Sequence, residues 1–171
     1  LSAPFRSRFG MHFRLAFYEK DEIKKIVKRS AKLLGMKIQD DALDMIAKSS
    51  RFTPRIANRL LKRARDYAQI NDSSTVTLAT ATASLEMFEI DGHGLDETDR
   101  KILLAISNKF NGGPVGLKNI AASISEEEAT IEDVYEPYLM QIGFFVRTPK
   151  GRIITADGAE HIKSPIAKLK L

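Results

Sequence analysis

Two short stretches of this chain hold the residue types that could do chemistry. The first is Arg51-Phe52-Thr53-Pro54-Arg55-Ile56-Ala57-Asn58-Arg59. Threonine then proline reads as a helix entry, with Thr53 as N-cap and Pro54 at the first helical position. Arg55 then stands one residue inside a helix start. Unpaired backbone N–H groups and the helix dipole favour an anion there, and a guanidinium adds a planar, permanent charge. The second stretch is Phe144-Phe145-Val146-Arg147-Thr148-Pro149-Lys150-Gly151-Arg152-Ile153-Ile154-Thr155. It reads as a two-stranded ribbon whose tip carries Arg147, Lys150 and Arg152. A ribbon tip with cations suits the phosphate backbone or a groove of DNA.

Regular elements must hold these residues in place. Asp21 to Leu34 reads as a helix with Ile23, Ile26, Val27, Leu33 and Leu34 on one side, ended by Gly35. Asp40 is expected to cap a short helix carrying Leu43 and Ile46. The helix entered at Thr53-Pro54 runs to about Ile70. Thr77 caps a fourth, giving a small bundle without a strand. Phe13 to Phe17 alternates as a short strand would. Asp91-Gly92-His93-Gly94 reads as a linker. Beyond it, Asp96 caps a helix that Asn111-Gly112-Gly113-Pro114 breaks, and Val115 to Ile124 forms a short helix. Thr130 is expected to cap a helix ending at Gly143, with Pro137 bending it. The ribbon follows, and a short helix closes the chain before Pro165. Three helices and a hairpin make a winged helix. The expected fold is mainly α: a helical bundle over residues 19–91, a linker at 92–94 and a winged helix over 95–171.

Composition sets the bounds. The chain has 171 residues, 43% hydrophobic and 29% charged, ordinary for a globular protein. It has no cysteine, which fits an intracellular protein and excludes thiol chemistry. No apolar run nears the roughly 20 residues of a membrane span. The net charge is +5, and the excess is uneven. Residues 94–137 carry 4 basic against 9 acidic groups, and residues 138–171 carry 6 against 2. The basic end is the ribbon's, which favours a polyanionic partner there. His12, His93 and His161 lie far apart with no metal-ligand spacing, so no metal ligand is expected. Tyr135 and Tyr138 read as core or half-core. No phosphate-binding loop of the Gly-x-x-x-x-Gly-Lys-Ser/Thr kind occurs. Leu1-Ser2-Ala3-Pro4 is no ordinary start, so the chain reads as part of something longer.

The whole chain resembles the RuvB family of AAA+ DNA motors. The resemblance rests on Pro4-Phe5-Arg6-Ser7-Arg8-Phe9-Gly10, Thr53 to Arg59, Gly112-Gly113-Pro114-Val115-Gly116-Leu117, Glu136-Pro137-Tyr138-Leu139 and Arg147 to Arg152. It implies that residues 1–18 are the edge of a large ATPase domain, followed by the lid and the winged helix. It implies ATP/ADP as cofactor, with Mg²⁺ held mainly by a missing N-terminal part. Arg55 becomes the sensor of the nucleotide's phosphates, and Tyr18 borders the adenine. Arg8 becomes the arginine finger acting on a neighbouring subunit's nucleotide, with Arg6 as rival. Arg147, Arg152 and Lys150 become DNA contacts. The implied partners are duplex DNA at Holliday junctions, a hexameric ring of like subunits and RuvA, in the bacterial cytoplasm. The chain departs from the family at Phe52, where glycine is usual. A bulky side chain there is expected to alter the angle at which Arg55 leaves its helix. The other reading of the same residues is a winged-helix transcription regulator with a helical dimerisation domain.

Overall fold

The computed structural model describes residues 16–163 together with Arg8, Met11 and Phe13. Helix α1 (Lys20–Leu33) starts at Glu19, whose N–H donates to the Glu22 carboxylate at 2.9 Å. Ile23, Val27 and Ala31 recur every four residues and are buried, so this face enters the core. Gly35 (φ 65°) turns the chain into strand β1 (Lys37–Ile38). Helix α2 (Asp40–Lys48) is entered from Gln39 rather than from Asp40. Asp40 lies inside the first turn, where its charge suits the dipole, and it takes the Lys24 ammonium at 2.6 Å. Helix α3 (Pro54–Ile70) follows, then strand β2 (Thr75–Val76) and helix α4 (Leu78–Met87), capped by Thr77 accepting from the Thr80 N–H.

The bundle is not strand-free as its sequence suggests. β1 and β2 pair in parallel, Lys37 with Thr75 and Ile38 with Val76. Two residues per strand are too few for alternation to show. Their pairing satisfies backbone groups at the ends of α1 and α3 while burying Val76. Leu43, Ile46, Leu60, Leu61 and Leu85 complete this first core.

The second core starts at Leu95. Asp96 caps helix α5 (Glu97–Leu104), accepting from the N–H groups of Thr98 and Asp99. A π-helical turn (Ala105–Lys109) carries α5 into the Asn111-Gly112-Gly113 break. Helix α6 (Leu117–Ile124) follows. The next helix starts at Glu128, not after Thr130: α7 (Glu128–Thr130), a π-helical turn (Ile131–Tyr135) and α8 (Glu136–Gln141) are continuous. Glu127 enters the helix, and Thr130 already has helical angles. The wider turn stands directly before Pro137, which lacks an N–H and crowds the preceding turn; the helix loosens instead of breaking.

Strands β3 (Phe145–Thr148) and β4 (Gly151–Ile154) form the expected hairpin around Pro149-Lys150, and helix α9 (Ala156–Lys163) closes the domain. The register sets Arg147 opposite Arg152. β4 also meets Val115: the Arg152 N–H donates to the Val115 carbonyl at 2.8 Å, and the return bond is 3.0 Å. This close approach explains Gly151, whose φ is 135° and where a Cβ would lie 2.5 Å from the Val115 oxygen. We predict that Gly151→Ala destabilises the protein by more than about 1 kcal/mol, since an alanine is strained at this φ and must push backbone aside. Urea denaturation checks this, and an unchanged midpoint would refute it.

Candidate nucleic-acid interface and phosphate-facing helix

Arg51 and Phe52 both take left-handed backbone angles (φ 52° and 53°) before Thr53. The Thr53 hydroxyl turns back and donates to the Arg51 carbonyl at 2.9 Å, so it leaves the helix-start N–H groups uncapped. Arg55 is exposed at this start. No described carboxylate pairs with it. Asp40 pairs with Lys24 instead. The Phe52 ring packs on the second core, 6.3 Å from the Tyr138 ring, and so leaves Arg55 unobstructed.

Arg51 points the other way, into the second core. Its Nε donates to the Gly94 carbonyl at 2.8 Å, and its terminal nitrogen pairs with Asp99 and, at 3.4 Å, with Asp96. Its guanidinium lies 5.0 Å from the centre of the Tyr138 ring. Tyr138 donates its hydroxyl to the His93 carbonyl, and Arg100 donates to the carbonyls of Glu89 and Leu95. The segment expected to be a bare linker is therefore filled with contacts. Asp91 is buried within it and accepts N–H bonds from His93 and Leu95. His161 of α9 closes on Asp91 at 2.8 Å. Burial opposes the Asp91 charge, yet the bonds from His161, Leu95 and His93 hold its pKa below the usual carboxylate value. Burial lowers the pKa of His93.

This corrects the expectation from spacing that the histidines stand apart. Asp91, His93 and His161 bring one ligand atom each within 4.8 Å, the one such grouping among the described residues. Both Asp91 oxygens are already engaged, so the group acts here as a hydrogen-bonded clasp on α9. His12 lies outside the described residues.

The wing also differs from its sequence reading at one position. Arg147 is half exposed and meets Glu132 at 2.7 Å, and Lys150 is exposed at the tip. Arg152, expected beside them, is buried at 8% exposure. Its fork grips buried Glu136, Nε to Oε1 at 2.6 Å and Nη2 to Oε2 at 3.2 Å. With its backbone bridged to Val115, it fixes the wing to α8 from inside. In the sequence Glu136 stood out only as part of the motif Glu136-Pro137-Tyr138-Leu139, with no role of its own. Tyr138 is core, as expected, and Tyr135 half-buried. Tyr18 is exposed before α1, and Arg8 lies in an exposed turn; Arg6, Arg14 and Leu15 lie outside the described residues. No helix among the described residues is long and apolar enough to cross a membrane.

A four-helix bundle whose helix start presents an arginine without a described carboxylate partner, joined to a winged helix, defines an AAA-type lid followed by a winged-helix module. The model of the RuvB AAA lid domain matches residues 18–91, and that of the RuvB C-terminal winged helix domain matches residues 92–163. The chain belongs to the RuvB family. It is 54% identical over 165 residues to the Holliday junction branch migration complex subunit RuvB of Dehalococcoides mccartyi, covering 96% of this chain and 47% of that one. The protein of the same name from Solibacter usitatus is 52% identical over 163 residues, covering 95% and 47%. The solved Thermotoga maritima RuvB Holliday junction branch migration motor superposes with a TM-score of 0.90 at 49% identity, covering 95% of this chain and 55% of that one. The chain thus spans about half the length of these relatives. The transcription-regulator reading is not favoured, because both matched models are RuvB's.

Two predictions arise from these buried charges. Arg152→Ala leaves buried Glu136 with only the weaker Arg147 contact at 3.8 Å, which should cost about 3 kcal/mol in urea denaturation; a loss below about 1 kcal/mol would rule out Arg152–Glu136 as the wing's anchor. Asp99 is pushed up to about 7 by burial, against the pull of the Arg51 charge. The folded chain then keeps a proton that the unfolded chain releases from about pH 4 upward. Stability from this group is greatest at low pH, falls as pH rises to about 7 and levels off above. Thermal midpoints followed from about pH 5 to 8 should show that decline in the wild type and a flatter profile in Asp99→Asn. Identical profiles would exclude Asp99 as its source.

Proposed function

We propose that this chain is the lid and DNA-gripping part of an ATP-driven motor that moves the branch point of Holliday junctions in recombination and repair. One observation carries this reading: the Arg55 helix start and the winged helix share the Arg51 contacts, so a shift at one is felt at the other. In the whole protein, Arg55 senses the phosphates of ATP or ADP from the lid of its own subunit. Tyr18 lies beside the adenine. Arg8 reaches a neighbour's nucleotide and stabilises the charge that develops during phosphoryl transfer. Residues outside this chain hold most of the Mg²⁺ shell and dock on RuvA, and like subunits form a hexameric ring. Residues 19–91 act as lid and residues 95–171 as winged helix. This chain alone has no phosphate-binding loop and does not turn over ATP.

The DNA contacts fall to Arg147 and Lys150, with Arg152 positioning the hairpin that carries them. Binding is largely indifferent to sequence, as a moving grip requires. On duplex and four-way-junction DNA, binding should weaken steeply with salt. Each lost phosphate contact removes about 0.9 from the slope of log affinity against log salt, so Arg147→Ala/Lys150→Ala should flatten it by about 2. An unaltered slope would move the grip away from the wing. Preference for one palindromic sequence would instead revive the regulator reading.

A further inference from the structure

A groove of about 490 Å³ runs between α3 and the winged helix. Its lid wall carries Arg55, Arg59 and Arg63, and Phe88, Ile90 and Tyr135 are among its other lining residues. The three arginines are spaced by four residues, so they form one ridge along α3, with a rise of about 6 Å per step. None pairs with a described carboxylate. Arg51 and Asp96 also border the groove, but they neutralise each other at 3.4 Å. Arg63 lies over Phe88, its guanidinium carbon 3.7 Å from the ring centre. Burial first, and the Arg59 charge second, lower its pKa. Like charges one turn apart destabilise a helix; the Phe88 ring offsets this at Arg63, and no described carboxylate offsets it at Arg55 or Arg59. A fold keeps such strain where a ligand relieves it.

We propose that Arg59 and Arg63 continue the Arg55 site as a ladder that binds linked phosphates in this groove. Successive guanidinium groups each take oxygens of successive phosphates, and Phe88 holds the Arg63 guanidinium in place at the groove. The same chemistry is offered by a nucleotide's triphosphate and by the backbone of a nucleic-acid strand. The inference rests on the reading of Arg55 as a phosphate sensor and adds two residues and a groove to it.

The test uses this chain with Arg147→Ala/Lys150→Ala in every sample, which silences the wing. Inorganic triphosphate is one probe and a short single-stranded oligonucleotide the other, with affinity measured by calorimetry. At least one probe should bind, and Arg59→Ala or Arg63→Gln should weaken it about tenfold or more, as loss of a charge-assisted bond does. The responding probe identifies the source of the phosphates. Arg59→Ala should also raise or preserve the unliganded melting temperature, because it removes a repulsion and places alanine in a helix. That excludes unfolding as the cause of weaker binding. If neither probe binds, or both variants bind as tightly as the parent, the ladder is refuted. Arg55→Ala separates the two claims. Binding lost there but kept in Arg59→Ala refutes the ladder alone. Binding kept there but lost in Arg59→Ala refutes the sensor reading and leaves the ladder standing.

Discussion

The buried contact of Arg51 with Asp99 lies at the junction of this protein's two cores. A charge taken out of water must be matched, or it costs several kcal/mol. Arg51 meets that demand with two carboxylates, a carbonyl and the face of Tyr138. Every one of these partners belongs to the connector or the winged helix, while Arg51 itself stands just before the helix that bears Arg55. The orientation of that helix start is therefore set by residues nearly fifty positions away. The Asp91–His161 and Arg100–Glu89 contacts brace the same junction from other sides.

Holding Arg51 inward forces the chain to turn sharply, and both Arg51 and Phe52 pay in backbone strain, since side-chain residues resist positive φ. Glycine would take that angle freely. Phenylalanine offsets the strain by placing its ring beside Tyr138 in the second core. Phe52 thus gives up the easy turn that glycine would allow for an added apolar tie across the junction. The wing obeys a similar logic. Its outward cations are useful because an inward one, Arg152, anchors their strands to Glu136.

Much of this was legible from the residues. Apolar spacing marked α1 and α3, and Thr77 and Asp96 were readable caps because their side chains bond N–H groups within three residues. The Pro149-Lys150 turn was equally local. The features that escaped are those decided by distant partners. Arg147 and Arg152 are cross-strand neighbours on one face, and only the packing of β4 between β3 and Val115 buries the second, so in the sequence Arg152 looked as exposed as Arg147. Spacing along the chain hid the meeting of His93 with His161, seventy residues from Asp91. β1 and β2 form only because the ends of two helices come together. Thr130 has the chemistry of a cap, but the helix was already under way at Glu128.

The hairpin has one more property. β4 is flanked by β3 and Val115, so β3 is the outer edge, its backbone open and Val146 45% exposed. Such an edge invites pairing with a strand from another molecule. Here Arg147 precedes the rim's end and Pro149 cannot donate to a ladder, so the run of groups able to zip is cut to a few residues. The ribbon can therefore stay exposed at the surface without pairing edge to edge into larger sheets.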